Sequence, residues 1–315
     1  MGRSRLGTAL AALALAACVD SQGPVNSTTD NSTPAALPTL GTMQTVKGST
    51  GEAGFNITLR FTNGATSTQK AFFDVAAARW QSIITGDVPN TTGAIPAQGC
   101  GNSFPTPSFT GGVDDVLIDV VLVPIDGPGA VLGAAGPCLV RKDDNLTQYG
   151  IMLFDTADLA FMADLGIFDE VVVHEMGHVL GIGTLWNYGR SLLQFSVTDP
   201  RFVGSNGIAG YHLVGGAGRT IPVEEGGGPG SAFGHWDEES FDTELMTGFI
   251  GRRAPLSVMT IGSMADLGYV VNTAVADGYR IRGQERDEES TATAGEQLIN
   301  LAAGMKLVKP IGVVD

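Results

Sequence analysis

The chain has 315 residues, 43% of them hydrophobic, enough to bury a sizeable core in one large or two smaller domains. Its formal net charge is −15, only 16% of residues are charged and no Lys/Arg cluster occurs, which excludes nucleic acid and an anionic lipid surface held through a basic face. The 44 glycines imply many tight turns.

Arg3 and Arg5 precede an apolar run over residues 6–17 that is too short to span a bilayer as a helix, so residues 1–17 read as an export signal. The run ends Leu15-Ala16-Ala17-Cys18, which resembles the bacterial lipobox and predicts a lipidated Cys18. The other reading is an ordinary secretory peptide with Cys18 incidental. No further stretch is apolar and long enough to cross a membrane, so the expected location is the bacterial cell envelope or outside the cell, with membrane attachment only through Cys18. Removing Cys18 leaves Cys100 and Cys138, and an exported chain with two remaining cysteines points to one disulfide, clipping loops on either side of a strand near 116–123.

Residues 18–50 are rich in Ser, Thr, Asn, Pro and Gly without apolar periodicity, which predicts a flexible tether ahead of a domain over 51–272. Residues 55–62 alternate as a half-buried strand. Phe72, Ala76, Trp80 and Ile83 recur at helical spacing over 67–84. Residues 116–123 form a nearly unbroken aliphatic run, as in a strand covered on both faces, and 149–154 suit a further strand. A short helix over 159–165 then leads into a helix at about 168–181, with Asp164 as its cap, Ile167, Val171, Val172 and Leu180 on its apolar side, and Gly181 and Gly183 as its stop. Residues 204–234 carry repeated glycines and little periodicity, predicting loop-built structure. Helical spacing resumes over 257–267, and the order of the charged tail, 273–315, is left open. These elements give an α+β class.

Within the 168–181 helix stands His174-Glu175-Met176-Gly177-His178. Positions four apart share a helix face, so both imidazoles reach one metal while Glu175 projects beside it as a base, the pattern of a zinc protease. The bland alternative is two histidines satisfied by core hydrogen bonds. Catalytic zinc takes three protein ligands and keeps one open position. The position where a short-spaced third histidine would fall is Thr184, and no Glu occurs between Glu175 and Glu224 to complete a glutamate-type site. His212 and His235 remain.

His235, in Gly234-His235-Trp236, follows the glycine-rich stretch and precedes Met246 in Leu245-Met246-Thr247-Gly248. With the paired-histidine motif, these segments closely resemble the leishmanolysin family of metzincin zinc proteases, over about residues 55–269, in a bacterial lipoprotein-type form. The resemblance implies His174, His178 and His235 as ligands of one catalytic Zn2+, Glu175 as general base, Gly181 as the turn after the helix and Met246 as the apolar floor of the site. His212 is then a surface residue or one that supports a ligand. The implied fold is metzincin-like: an upper twisted sheet with two main helices (51–185) and a loop-rich lower part (186–272) across an active-site cleft. The implied function is exported zinc-dependent endopeptidase activity on protein or peptide substrates, the substrate lying extended against an edge strand of the upper sheet. The few cysteines and the lack of a recognisable pro-segment depart from the eukaryotic pattern and leave latency unexplained. The competing readings are a cell-surface adhesion or binding protein that keeps the fold and its zinc, and a zinc hydrolase acting on something other than protein.

Overall fold

Strand β1 (Leu40–Val46) pairs antiparallel with β2 (Ile57–Thr62) in a computed structural model that describes residues 40–46, 54–62, 64–104, 106–129, 131–226, 230–282 and 298–314. The pairing makes residues 40–46 part of a sheet, which corrects the tether expected to run to residue 50. The export signal and Cys18 lie outside the described residues. No helix among the described residues is long and apolar enough to cross a membrane.

Helix α1 (Ser67–Ile83) starts at Thr66, whose hydroxyl accepts from the Gln69 N–H while the Gln69 side chain accepts from the Thr66 N–H. Two otherwise unmatched backbone donors are satisfied at once. Its buried face is Phe73, Ala76, Ala77, Trp80 and Ile83. A hairpin of β3 (Thr91–Ile95) and β4 (Phe109–Val113) follows. Then come β5 (Val116–Val123), β6 (Gly133–Arg141) and β7 (Thr147–Asp155), and helices α2 (Thr156–Leu165) and α3 (Phe168–Leu180).

The main sheet runs β1-β2-β5-β7-β6, with β2, β5 and β7 mutually parallel and β6 antiparallel to β7. One face packs on α1 and α3. The other is covered by the β3–β4 hairpin in a second apolar cluster that includes Ile95, Val113, Leu117, Val121 and Ile151. Cover on both faces is why β5 and β7 carry apolar side chains without alternation. Within β5 one polar group interrupts the run. Asp119 of β5 is buried, with the Arg60 guanidinium donating to it at 2.6 Å and the Tyr149 hydroxyl at 2.8 Å. Cys100 and Cys138 are bonded. Because Cys138 lies within β6, the bond ties the loop after β3 to the sheet itself instead of joining two loops flanking β5.

Beyond α3 come β8 (Leu193–Gln194), β9 (Arg201–Phe202), α4 (Ser205–Leu213), β10 (Ile221–Pro222), α5 (Glu238–Phe241), β11 (Phe249–Ile250) and α6 (Val258–Leu267), then a 3-10 turn at Thr273–Val275. Helix α4 corrects the loop expected across 204–234. Glycines on α4 and α6 make the contact between the two: a Cβ on Gly210 of α4 would meet the backbone of Met259 at 2.7 Å, and one on Gly262 of α6 the carbonyl carbon of Asn206 at 2.7 Å. They let α4 and α6 approach backbone to backbone.

Residues 298–314, whose order the sequence left open, are part of the fold. Strand β12 (Ile299–Asn300) pairs with β11, α7 (Leu301–Gly304) follows, and β13 (Met305–Leu307) and β14 (Gly312–Val314) both pair parallel to the outer edge of β6. The described part of the chain is thus mixed α and β, with an additional pair of strands on the far edge of its main sheet.

Candidate metal centre

Helix α3 carries His174 and His178 on successive turns. Its N-cap is Ile167 with no side-chain bond, so Asp164 does not cap it; Asp164 belongs to α2, which ends at the left-handed Gly166. Asp169 and Glu170 instead place negative charge in the first turn, where the helix dipole favours it. At the other end Gly181, at φ 120, donates to the Gly177 and His178 carbonyls and reverses the chain. The Thr184 hydroxyl donates to the His178 carbonyl at 2.7 Å, so the residue at the short-spaced third-ligand position works as a cap.

His235 arrives from the distant lower segment, and its imidazole meets the two on α3. The three Nε2 atoms lie 2.9 Å (His174 to His178), 3.0 Å (His178 to His235) and 3.2 Å (His174 to His235) apart. Each Nδ1 faces a backbone carbonyl: Leu245 at 2.6 Å for His174, Ile182 at 2.9 Å for His178 and Ser231 at 3.1 Å for His235. A carbonyl only accepts, so each Nδ1 carries the proton. Burial holds all three rings neutral, pushing His174 to about 3 and His235 to about 4, with His178 also far below its usual range. For His178 the His235 and His174 rings add to burial, and the Lys309 charge adds a smaller push. Three bare Nε2 lone pairs therefore point at one another with no proton to share. Hydrogen bonding does not explain that arrangement, and the three nitrogens are close enough together for one cation to be held by all three. The separations suit the first-row metals that prefer imidazole, and the set of three leaves room for a further ligand.

Glu175 is fully buried, and both its carboxylate oxygens lack a hydrogen-bond partner. Burial alone pushes it up to about 8. An isolated buried carboxyl is costly, and a neighbouring positive charge is what would offset it.

Below α3, Met246 lies against Gly177, which stands between His174 and His178 in sequence. A Cβ on Gly177 would meet Trp80 at 2.9 Å and the Met246 sulfur at 3.1 Å. Gly177 is bare because both side chains use its space. Sequence reasoning missed what holds this floor. Glu244 is buried and accepts from the Met246 N–H at 2.7 Å, the Ser257 N–H at 3.1 Å, the Ser257 hydroxyl at 2.6 Å and the Thr260 hydroxyl at 2.5 Å. Thr260 in turn accepts from the Trp236 indole at 2.8 Å, joining the residue after His235 to the Met246 turn. Little in the sequence signals it, because Glu244 is one of five acids between Asp237 and Glu244 and only folding separates it from the others by burial. His212 stands apart on α4, exposed, its Nε2 2.7 Å from the Gly218 carbonyl.

A second acidic group, Asp87, Asp114 and Asp115, could be spanned by one ion, but both Asp115 oxygens already accept backbone N–H groups. No protein-family model matches the chain, and no curated protein matches it.

Proposed function

We propose that this protein is an exported zinc-dependent endopeptidase of the metzincin type, related to leishmanolysins, with His174, His178 and His235 as metal ligands and Glu175 as general base. The observation that carries the reading is the convergence of three Nδ1-fixed imidazoles on their bare Nε2 atoms beside a buried carboxylate without a partner. A metzincin-like arrangement is supported by the sheet above α3, the third histidine from a distant segment and Met246 against Gly177.

Zinc held by three imidazoles supplies a Lewis acid for a carbonyl oxygen and brings the pKa of water to about 7. The carbonyls of Leu245, Ile182 and Ser231 keep the three rings in the tautomer that presents Nε2. Glu175 takes a proton from the attacking water and passes it to the departing amine nitrogen. With no other hydrogen-bond partner, its oxygens are free for that transfer. Export and attachment through Cys18 belong to the same proposal.

A binding or adhesion protein with a structural metal is the second reading, favoured by the near-complete burial of the ligands, at 0%, 0% and 2% exposure for His174, His178 and His235. The unsatisfied Glu175 weighs against it, since a structural site has no use for a base. Glu175→Ala separates the two. It should retain stoichiometric zinc and lose nearly all hydrolysis of an unfolded protein, and Glu175→Asp, one methylene shorter, should be badly impaired. Parent-rate cleavage by zinc-loaded Glu175→Ala would remove the mechanism.

A further inference from the structure

We propose that residues 298–314 are a built-in cover of the metal centre, docked on the edge of β6 that an extended peptide would otherwise use; the identity of what the cover excludes rests on the peptidase reading.

An exposed sheet edge is a ready template for an added strand, and pairing to it is a common way of holding an extended peptide. Of the strands in the main sheet, β6 is the one at the far edge from β1, and it packs against α3. Its free backbone groups are taken by the chain itself. Lys306 is in register with Ala134 and Leu307 with Ala135, the Val308 N–H donates to the Ala135 carbonyl at 2.8 Å and the Ile311 N–H to the Cys138 carbonyl at 2.9 Å, and Val313 aligns with Val140.

One contact carries this tail from the sheet edge to the metal side. The Leu307 side chain lies over the bare Cα of Gly234, the residue immediately before His235. On β6, Gly136 sits at φ 152 with its open side against the Val308 backbone, where a Cβ would collide. Met305 and Val308 are buried. The tail therefore runs between the β6 edge and the segment that delivers the third histidine, the two walls a substrate would lie between. The centre itself is closed, with Glu175 at 0% exposure. A site for a protein substrate must open, and the tail lies in the way.

The docked and undocked forms would be in equilibrium, so the parent would show only the fraction of its intrinsic activity that matches the open population. Ala134→Cys combined with Lys306→Cys places two thiols on facing residues of adjacent strands, within the Cα separation a disulfide spans. Lys306 is exposed, so its replacement leaves the core intact. The oxidised variant should hydrolyse an unfolded protein at least about tenfold more slowly than the same variant after mild reduction, and should also lose zinc to EDTA more slowly. The parent treated with the same reductant should not change.

Hydrolysis and zinc loss that are both independent of the locking bond would overturn the cover while leaving the peptidase reading in place. Slower zinc loss in the locked form, with no hydrolysis by any form, would keep the cover and remove the peptidase reading. Failure of the protein to take up zinc would remove both.

Discussion

Gly183 and Gly234 lie backbone against backbone: a side chain on Gly183 would run into the Gly234 carbonyl group, and Gly183 also sits at φ +70, where an L side chain is strained. This contact places the residue before His235 directly beneath the turn that ends α3, and so fixes where the third imidazole enters. Gly183→Ala should therefore push the His235 segment away from the helix. The expected outcome is a zinc affinity at least about tenfold weaker together with a lowered melting temperature, because ligand positioning by neighbouring groups is worth 10- to 100-fold in affinity. Titration with a competing chelator measures the first and thermal unfolding the second. Parent-like affinity in a folded Gly183→Ala protein would show that His235 does not depend on this contact.

Glu244 joins the Met246 turn to α6 and, through Thr260, to Trp236. Glu244→Ala would leave four buried donors unmatched, and each unmatched group costs about 1–3 kcal/mol. Glu244→Gln keeps one acceptor oxygen and should lie between the variant and the parent. Urea unfolding should rank stability as parent, Gln, Ala, with the Ala protein at least about 3 kcal/mol below the parent. Equal stability for all three would mean that the network contributes nothing.

Asp115, just before β5, accepts the Asn56 and Val88 N–H groups at 2.7 Å each and is fully buried. Burial pushes it up to about 6 from 3.8, against the pull of those donors and with the Asp114 and Asp87 charges adding to the rise. The folded chain thus holds the proton more tightly than the unfolded one. That contribution favours the fold fully below about pH 4 and is lost as pH rises through about 6. Asp115→Asn cannot titrate, so its stability relative to the parent should improve between pH 4 and 6 and then level off. Urea unfolding of both proteins across that range checks the sign; a difference that does not vary with pH would rule it out.

Much of the upper part was legible because its signals are local. Val116–Val123 is a strand with the expected bounds, and Ser67–Ile83 ends one residue short of the periodic stretch. His174, Glu175 and His178 were legible because their spacing puts them together on one helix, whereas His235 and Met246 were singled out only through the resemblance of their segments to a known family. Three things were hidden for physical reasons. Helix α4 is rich in glycine because α6 lies against its backbone, and the same residues in isolation read as loop. Strand β6, with Gly133, Gly136 and Pro137, lacks the composition of a strand and depends on β7 for its register. The role of residues 298–314 is set by a sheet edge more than 150 residues earlier, and nothing within the tail reports it.

The assignment of the third ligand is open to a direct measurement, because only His212 and His235 compete for it. The His235 Nε2 lies within 3.2 Å of both helical Nε2 atoms, whereas the His212 ring is exposed and bonded to the Gly218 carbonyl. Removing one of three ligands should cost most of the metal affinity, while removing an exposed ring on α4 should cost almost none. Zinc content under limiting metal should therefore be near zero for His235→Ala and parent-like for His212→Ala. His235→Ala also removes a buried ring and its bond to the Ser231 carbonyl, so the metal-free variant should be less stable than the metal-free parent, and its metal-dependent stabilisation should be lost as well. Unfolding each protein with and without zinc separates the two effects. Stoichiometric zinc in His235→Ala with none in His212→Ala would reverse the assignment and leave the convergence of the three imidazoles without a function.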